Sequence, residues 1–162
     1  MTSTERAAPA SAETWVRAFA DGWRAPAASE ARAQELVEHF RPWLRPDYRF
    51  SQPLIGTGAG IQEFAERFAR PLFALVPDLR LTVTDWAARD QTLFIEVLVE
   101  GTVGGRGVAM HACDRITLHD GLAAARVTYA NPAPLLRALA RTPRLWPRTA
   151  AVLLTEFTRR PR

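Results

Sequence analysis

Four strand patterns that follow one another in the second half of the chain limit the possible folds more than any other feature. They span residues 79–88, 92–101, 107–118 and 122–130. Two glycine-containing segments, Gly104-Gly105-Arg106-Gly107 and Asp120-Gly121, separate the last three patterns, and such segments favour tight hairpins. Because connections this short join only antiparallel neighbours, the sequence predicts an antiparallel meander.

Three helices are predicted before these strands, because apolar residues recur there at intervals of three and four. Ser11 can cap the first helix. One face of this helix carries Trp15, Phe19 and Trp23. The second helix is predicted to start at Ser29, and the third spans about 61–75. Helices that precede an antiparallel sheet must cover one of its faces, so we expect an α+β fold in which a cone-shaped, curved sheet wraps over the N-terminal helices.

A short strand and a glycine-rich loop are predicted between the second and third helices. In the segment 47–53, strand alternation places Tyr48, Phe50 and Gln52 on one side. The segment Gly56 to Gly60 is expected to be a flexible hinge near the mouth of a pocket. Tyr48 and Gln52 are therefore candidates for contact with a ligand.

Length and composition predict one soluble globular domain. The chain has 162 residues, of which 48% are hydrophobic and 23% are charged, close to the average for such domains. We expect a disordered N-terminus over 1–10, a folded domain over 11–142 and a basic C-terminal helix or tail over 143–162. The first residues resemble no signal peptide, and no apolar run reaches membrane-spanning length, so a cytoplasmic location without a membrane partner is expected.

The residue types also limit the possible partners and cofactors. Seven arginines and one glutamate follow position 136, but this basic tail lacks the interleaved aromatic residues or helix-turn-helix pattern of a nucleic-acid-binding protein, so nucleic acid is not an expected partner. Cys113 is the single cysteine, and the histidines at 39, 111 and 119 lack metal-ligand spacing. Neither a metal nor a cofactor is predicted.

The strongest functional signal is a carboxylate in the third strand of the meander. Alternation places Asp114 on the same face as five apolar residues: Val108, Met110, Ala112, Ile116 and Leu118. Burial of an unpaired carboxylate is costly. Asp114 should therefore either be paired, with an arginine or with backbone amides, or be held neutral as a hydrogen-bond donor to an oxyanion. His111 lies on the opposite face of a regular strand, and a bulge could bring it to Asp114.

The order of elements and the segments Ser51-Gln52-Pro53 and Cys113-Asp114-Arg115-Ile116-Thr117-Leu118 resemble the nuclear transport factor two-like superfamily. Within it, the chain is similar to SnoaL-like polyketide cyclases and ketosteroid isomerases over about residues 12–135. The resemblance matches Asp114 with the oxyanion-hole aspartate of the isomerases, a carboxylic acid kept neutral at pH 7. Gln52 stands where those enzymes have a general base, and an amide cannot take a proton. Trp15 or Phe19 replaces their first-helix tyrosine.

The resemblance and the residues together imply a homodimeric protein of secondary metabolism with a hydrophobic pocket. We expect a cofactor-independent isomerase, cyclase or dehydratase for a polyketide- or terpenoid-like carbonyl compound. The candidate catalytic residues are Asp114 and His111, and the candidate substrate-binding residues are Gln52, Tyr48, Tyr129, Trp15 and Phe19. Epoxide opening as in limonene epoxide hydrolases is disfavoured, because no predicted strand contains their Arg-x-Asp pair. The alternative is a non-catalytic ligand-binding or dimerisation module.

Overall fold

The computed structural model describes residues 11–24, 31–147 and 149–150. The predicted N-terminal segment 1–10 and the predicted start of the second helix at Ser29 lie outside the described residues. So does most of the predicted helix or tail after Pro147.

The described residues include the α-helices α1 Ala12–Trp23, α2 Ala31–Phe40, α3 Gly60–Glu63, α4 Arg70–Leu75 and α5 Ala133–Ala140. Trp146, Pro147, Thr149 and Ala150 are helical as well. Ser11 caps α1 as predicted, since its hydroxyl oxygen accepts a hydrogen bond from the backbone N–H of Thr14 at 3.2 Å. A π-helical segment, Phe64–Ala69, joins α3 to α4. The predicted third helix is therefore interrupted by a wider turn in its middle. None of the helices in the described ranges is long and apolar enough to cross a membrane.

The described strands form one curved, open sheet. They are β1 Leu44–Gln52, β2 Gly56–Ala59, β3 Arg80–Arg89, β4 Thr92–Val103, β5 Arg106–His119 and β6 Leu122–Ala130. Their order is β2-β1-β6-β5-β4-β3. The antiparallel meander from β3 to β6 is as predicted. The parallel pairing of β1 with β6 brings the N-terminal strand beside the end of the meander, so residues from distant parts of the sequence share one concave face.

The prediction of a flexible loop at Gly56 to Gly60 was wrong. Most of this segment is β2, which pairs antiparallel with β1, with Thr57 opposite Ser51. Strand pairing uses backbone groups and needs no side chain. At Gly58 a side chain would not fit, because an added Cβ would lie 2.3 Å from Cζ of Phe50. The glycine therefore allows the edge strand to lie against the core.

An aromatic cluster fills the space between the N-terminal helices and β1. Its buried members are Trp15, Phe19, Trp23, Phe40, Tyr48, Phe50, Phe64 and Phe68. Their rings are close neighbours, with centroids 5.0 Å apart for Phe64 and Phe68 and 6.4 Å apart for Trp15 and Phe40. Aromatic side chains bury large apolar areas, so this cluster holds α1 and α2 on the concave side of the sheet.

Candidate functional site

A cavity of about 130 Å³ lies on the concave side of the sheet. Aliphatic side chains form most of its wall, among them Leu72, Leu75, Val97, Met110, Ala112 and Leu139. Gln52, Asp114, Arg126 and Thr128 contribute polar groups to the same wall. A mostly apolar cavity with a few polar groups is the usual form of a small-molecule binding site.

Asp114 is buried, as the alternation of β5 predicts, and it is paired. Only 1% of its surface is exposed. In the antiparallel register of β5 and β6, Asp114 lies directly opposite Thr128, whose hydroxyl donates a hydrogen bond to Asp114 Oδ1 at 2.5 Å. Nη2 of Arg126 lies 2.9 Å from Asp114 Oδ2. The sequence left two states open for Asp114, a paired carboxylate or a neutral carboxylic acid. In the structure Asp114 is paired with an arginine.

Arg126 is a residue of the candidate site that the sequence analysis did not single out. It lies two residues before Thr128, so both side chains project from the same face of β6. The signal was present in the alternation of 122–130, but Arg126 is recognised as the partner of Asp114 only when the register of two strands is known. A buried cation requires compensation, and here Asp114 supplies it.

Aromatic rings surround the guanidinium of Arg126. Its Cζ atom lies 5.4 Å from the ring centroid of Phe68, 5.7 Å from that of Phe19 and 5.9 Å from that of Trp23. Burial alone lowers the pKa of Arg126, but the charge of Asp114 and the neighbouring Tyr48 hydroxyl outweigh burial and raise this pKa above its ordinary value. The guanidinium is therefore a permanent positive charge beside the cavity.

Four buried polar atoms on residues of the cavity wall can still form hydrogen bonds. Arg126 Nε, Gln52 Nε2 and Trp23 Nε1 have no hydrogen-bond acceptor among the described residues. Asp114 Oδ2 lies 2.9 Å from Nη2 of Arg126 in the ion pair, and a carboxylate oxygen can accept a further hydrogen bond. Because buried polar atoms are normally satisfied in native proteins, these three donors and one acceptor are the candidate hydrogen-bonding groups for a ligand.

Tyr48 is buried beside Arg126 and belongs to the aromatic cluster rather than to the wall of the cavity. Burial in an apolar environment raises the pKa of its hydroxyl, which the nearby guanidinium of Arg126 only partly offsets. Tyr48 was predicted to contact the ligand directly. In the structure it adjoins the candidate site through Arg126.

Replacing Tyr48 by phenylalanine is expected to remove part of the loss of stability at alkaline pH. Because the folded-state pKa of Tyr48 is raised, its contribution to stability is complete below the ordinary tyrosine pKa and decreases as the pH rises through the folded-state value. Above about pH 10, the free energy of unfolding should decrease more steeply for the wild type than for Tyr48→Phe, by about 1.4 kcal/mol per pH unit. Denaturant unfolding between about pH 8 and about pH 12 measures both slopes, and equal slopes would contradict the prediction.

The structure does not bring His111 and Tyr129 to the cavity. The pairing of β4 with β5 is continuous, with Ile95 opposite Asp114 and Leu98 opposite His111, so no bulge at this pairing turns His111 inward. His111 is on the outer face of the sheet with 68% of its side chain exposed, and its Nδ1 is 3.8 Å from Glu96 Oε1. Tyr129 is 53% exposed. Strand alternation places both residues opposite to the face that carries Asp114.

Trp15 and Phe19 are buried in the aromatic cluster and do not line the cavity. Phe19 is nevertheless close to the site, since its ring faces the guanidinium of Arg126. The structure thus brings together Asp114 and Gln52 of the predicted site residues, and it adds Arg126 and Thr128.

Comparison with known proteins identifies the family. The family model of the SnoaL-like domain matches residues 16–126, whereas no curated protein matches the sequence. A protein of Jannaschia sp. CCS1 assigned to the SnoaL-like polyketide cyclases is 20% identical, with a TM-score of 0.63 over 78% of this chain and 88% of that one. TerC, co-crystallised with polyporic acid, is 14% identical, with a TM-score of 0.63 over 77% of this chain and 97% of its own.

A third similar structure is an LEH-like epoxide hydrolase of M. tuberculosis, which is 16% identical, with a TM-score of 0.59 over 83% of this chain and 93% of that one. Likeness at these identities establishes the fold and leaves the chemistry open. The match to the family model covers more than half of the chain. The chain therefore belongs to the SnoaL-like domain family and has its α+β fold.

Proposed function

We propose that the cavity binds a small, mostly apolar carbonyl compound and that Asp114 transfers a proton on it without a cofactor. The observation that carries this proposal is the buried pair of Asp114 and Arg126 in an otherwise mostly aliphatic wall. Removal of a proton next to a carbonyl group needs a base near the carbon and a positive or hydrogen-bonding group near the oxygen. Asp114 provides the base, and Arg126 and Gln52 provide the donors.

The proposed reaction begins with the carboxylate form of Asp114, because Asp114 forms an ion pair with Arg126. Asp114 takes a proton from the carbon next to the carbonyl group, and negative charge moves to the carbonyl oxygen. Arg126 and Gln52 stabilise this oxygen by electrostatic attraction and hydrogen bonding. When a carbon–carbon double bond is conjugated with the enolate, Asp114 returns the proton to the far carbon of the resulting dienolate, which shifts the double bond and completes an isomerisation. Cyclisation and dehydration of carbonyl compounds share the first of these steps.

The size and lining of the cavity support a ligand that contains at least one ring. A cavity of about 150 Å³ lined by aliphatic and aromatic side chains is known to accept benzene, and the cavity of this chain is of similar volume. A polyketide- or terpenoid-like skeleton fits this lining. The assignment of the Jannaschia protein to polyketide cyclases and the presence of polyporic acid with TerC are consistent with such a ligand.

The proposal is tested by the exchange of α-protons of 2-tetralone in deuterium oxide, followed by nuclear magnetic resonance. The purified wild type is expected to accelerate exchange above the buffer rate. Met110→Trp should abolish this acceleration, because Met110 lines the cavity and a tryptophan would fill it. Ala109→Trp is the matched control, since Ala109 is exposed on the opposite face of the same strand. An exchange rate in the wild type equal to that in buffer would refute the proposed function.

A non-catalytic ligand-binding module is the second candidate. It is favoured by one observation: Thr128 and Arg126 already contact both oxygens of Asp114, as in a purely structural pair. Binding of 2-tetralone to the wild type without accelerated exchange would support this second function.

Location in the cytoplasm and a role in secondary metabolism stay predictions. The homodimer is also a proposal, supported by the exposed Phe94 and Tyr129 on the outer face of the sheet.

A further inference from the structure

The polar atoms of the cavity form a pattern that a ligand must match. Asp114 Oδ2 can accept a hydrogen bond, while Arg126 Nε, Gln52 Nε2 and Trp23 Nε1 can each donate one. Asp114 Oδ1 is already occupied by the Thr128 hydroxyl. A site with buried donors and acceptors rejects a molecule that leaves them unpaired. The ligand that fits therefore carries both a hydrogen-bond donor and a hydrogen-bond acceptor at its polar end.

The charges at this end of the cavity favour a neutral ligand. Asp114 and Arg126 carry opposite charges and lie within 2.9 Å of each other. Glu100, another charged residue of the wall, is paired with Arg80 at 3.1 Å. A ligand carboxylate would compete with Asp114 for the single buried guanidinium in the described wall of the cavity, and it would leave one carboxylate uncompensated in an apolar environment.

We infer that the ligand is a neutral hydroxy ketone that contains at least one ring. Its hydroxyl group donates to Asp114 Oδ2, and its carbonyl oxygen accepts from Arg126 Nε and Gln52 Nε2. This inference rests on the proposed function, in that it takes the cavity as the ligand site, and it specifies the substrate class of that site. A simple ketone leaves Asp114 Oδ2 without a donor. A simple alcohol satisfies Asp114 Oδ2 and leaves at least one of the N–H groups of the wall unpaired.

The test compares the affinities of five related probes by isothermal titration calorimetry. The probes are 1-indanone, 1-indanol, 2-hydroxy-1-indanone, 3-hydroxy-1-indanone and the carboxylate 1-oxoindane-3-carboxylate. In the wild type, at least one hydroxy ketone is expected to bind about tenfold more tightly than either the simple ketone or the simple alcohol, since each lacks one hydrogen bond. The carboxylate is expected to bind more weakly than the simple ketone.

Two variants assign the hydrogen bonds to their residues. Gln52→Met should reduce the affinity for 1-indanone and for the hydroxy ketones by a similar factor of about three to ten, because both lose the same amide donor. The double variant Asp114→Leu with Arg126→Met replaces the whole buried pair by apolar side chains, a change that folded proteins generally tolerate. This variant should no longer prefer a hydroxy ketone over 1-indanone. Circular dichroism verifies that each variant is folded.

The outcomes separate this inference from the proposed function. A preference for a hydroxy ketone supports the inference even when the exchange of 2-tetralone is not accelerated, in which case the proposed catalysis alone is wrong. Equal affinities of the wild type for 1-indanone and both hydroxy ketones would overturn the inference, whether or not exchange is accelerated. Failure of all five probes to bind would overturn it as well. A preference that survives in the double variant would show that Asp114 and Arg126 are not responsible for it, and would also overturn the inference.

Discussion

Replacing Asp114 by asparagine is expected to slow the exchange of the α-protons of 2-tetralone by a factor of about 10² to 10⁴, the usual contribution of a general base. Asparagine has nearly the shape of aspartate, and its carbonyl oxygen can still accept the hydrogen bond that Thr128 donates. Its amide cannot take a proton from carbon. The variant thus removes the proposed chemistry and retains much of the packing.

Two further variants make this result specific. Asp90→Asn is the same chemical change in the turn between β3 and β4, at a position with φ of 53° that asparagine tolerates well, and it should exchange protons at the wild-type rate. Asp114→Glu keeps a carboxylate but displaces it by one methylene group, so it should recover part of the activity that Asp114→Asn loses. The rates are compared at a temperature at which all variants are folded. An Asp114→Asn variant as active as the wild type would exclude Asp114 as the base.

The inward orientation of Asp114 could be predicted because it depends on local geometry alone. Side chains alternate along a strand, and Ile116 and Ala112 on either side of Asp114 fixed which face was apolar. The structure agrees, with Asp114 and Ile116 both buried. The same rule predicted that His111 lies on the outer face if the strand is regular. The pairing of β4 with β5 is continuous, so the strand is regular there and His111 lies on the outer face. The alternation of side chains along a strand therefore indicates which residues lie on the same face of the sheet and can contact each other.

The partner of Asp114 could not be predicted in this way, because it depends on contacts between strands. Arg126 reaches Asp114 only in the register that puts Thr128 opposite it. The parallel pairing of β1 with β6 likewise joins segments far apart in the sequence, and it places Tyr48 beside Arg126 rather than in the cavity wall. The segment from Gly56 to Gly60 was predicted to be a loop, because a strand is recognised in a sequence by alternating apolar and polar side chains, and glycine has no side chain. Long-range register determined each of these features.

Replacing Arg126 by methionine is expected to lower the free energy of unfolding by about 3 to 5 kcal/mol, the typical cost of leaving one charge of a buried pair without its partner. Methionine fills much of the space of the arginine side chain among Phe19, Trp23 and Phe68. The main change is therefore electrostatic. Asp114, which is 1% exposed in the wild type, would keep only the Thr128 hydroxyl as its hydrogen-bond donor.

The double variant Asp114→Leu with Arg126→Met should recover most of this loss, and its stability should lie within about 2 kcal/mol of the wild type, because apolar replacement of a whole buried pair is often neutral or stabilising. Urea unfolding of the wild type, both single variants and the double variant completes a double-mutant cycle. The expected coupling energy is about 2 kcal/mol or more. A coupling energy near zero would mean that the 2.9 Å contact contributes no specific stability. If coupling is strong and the double variant is as stable as the wild type, the charged pair is unnecessary for folding, which favours its retention for the ligand in the cavity.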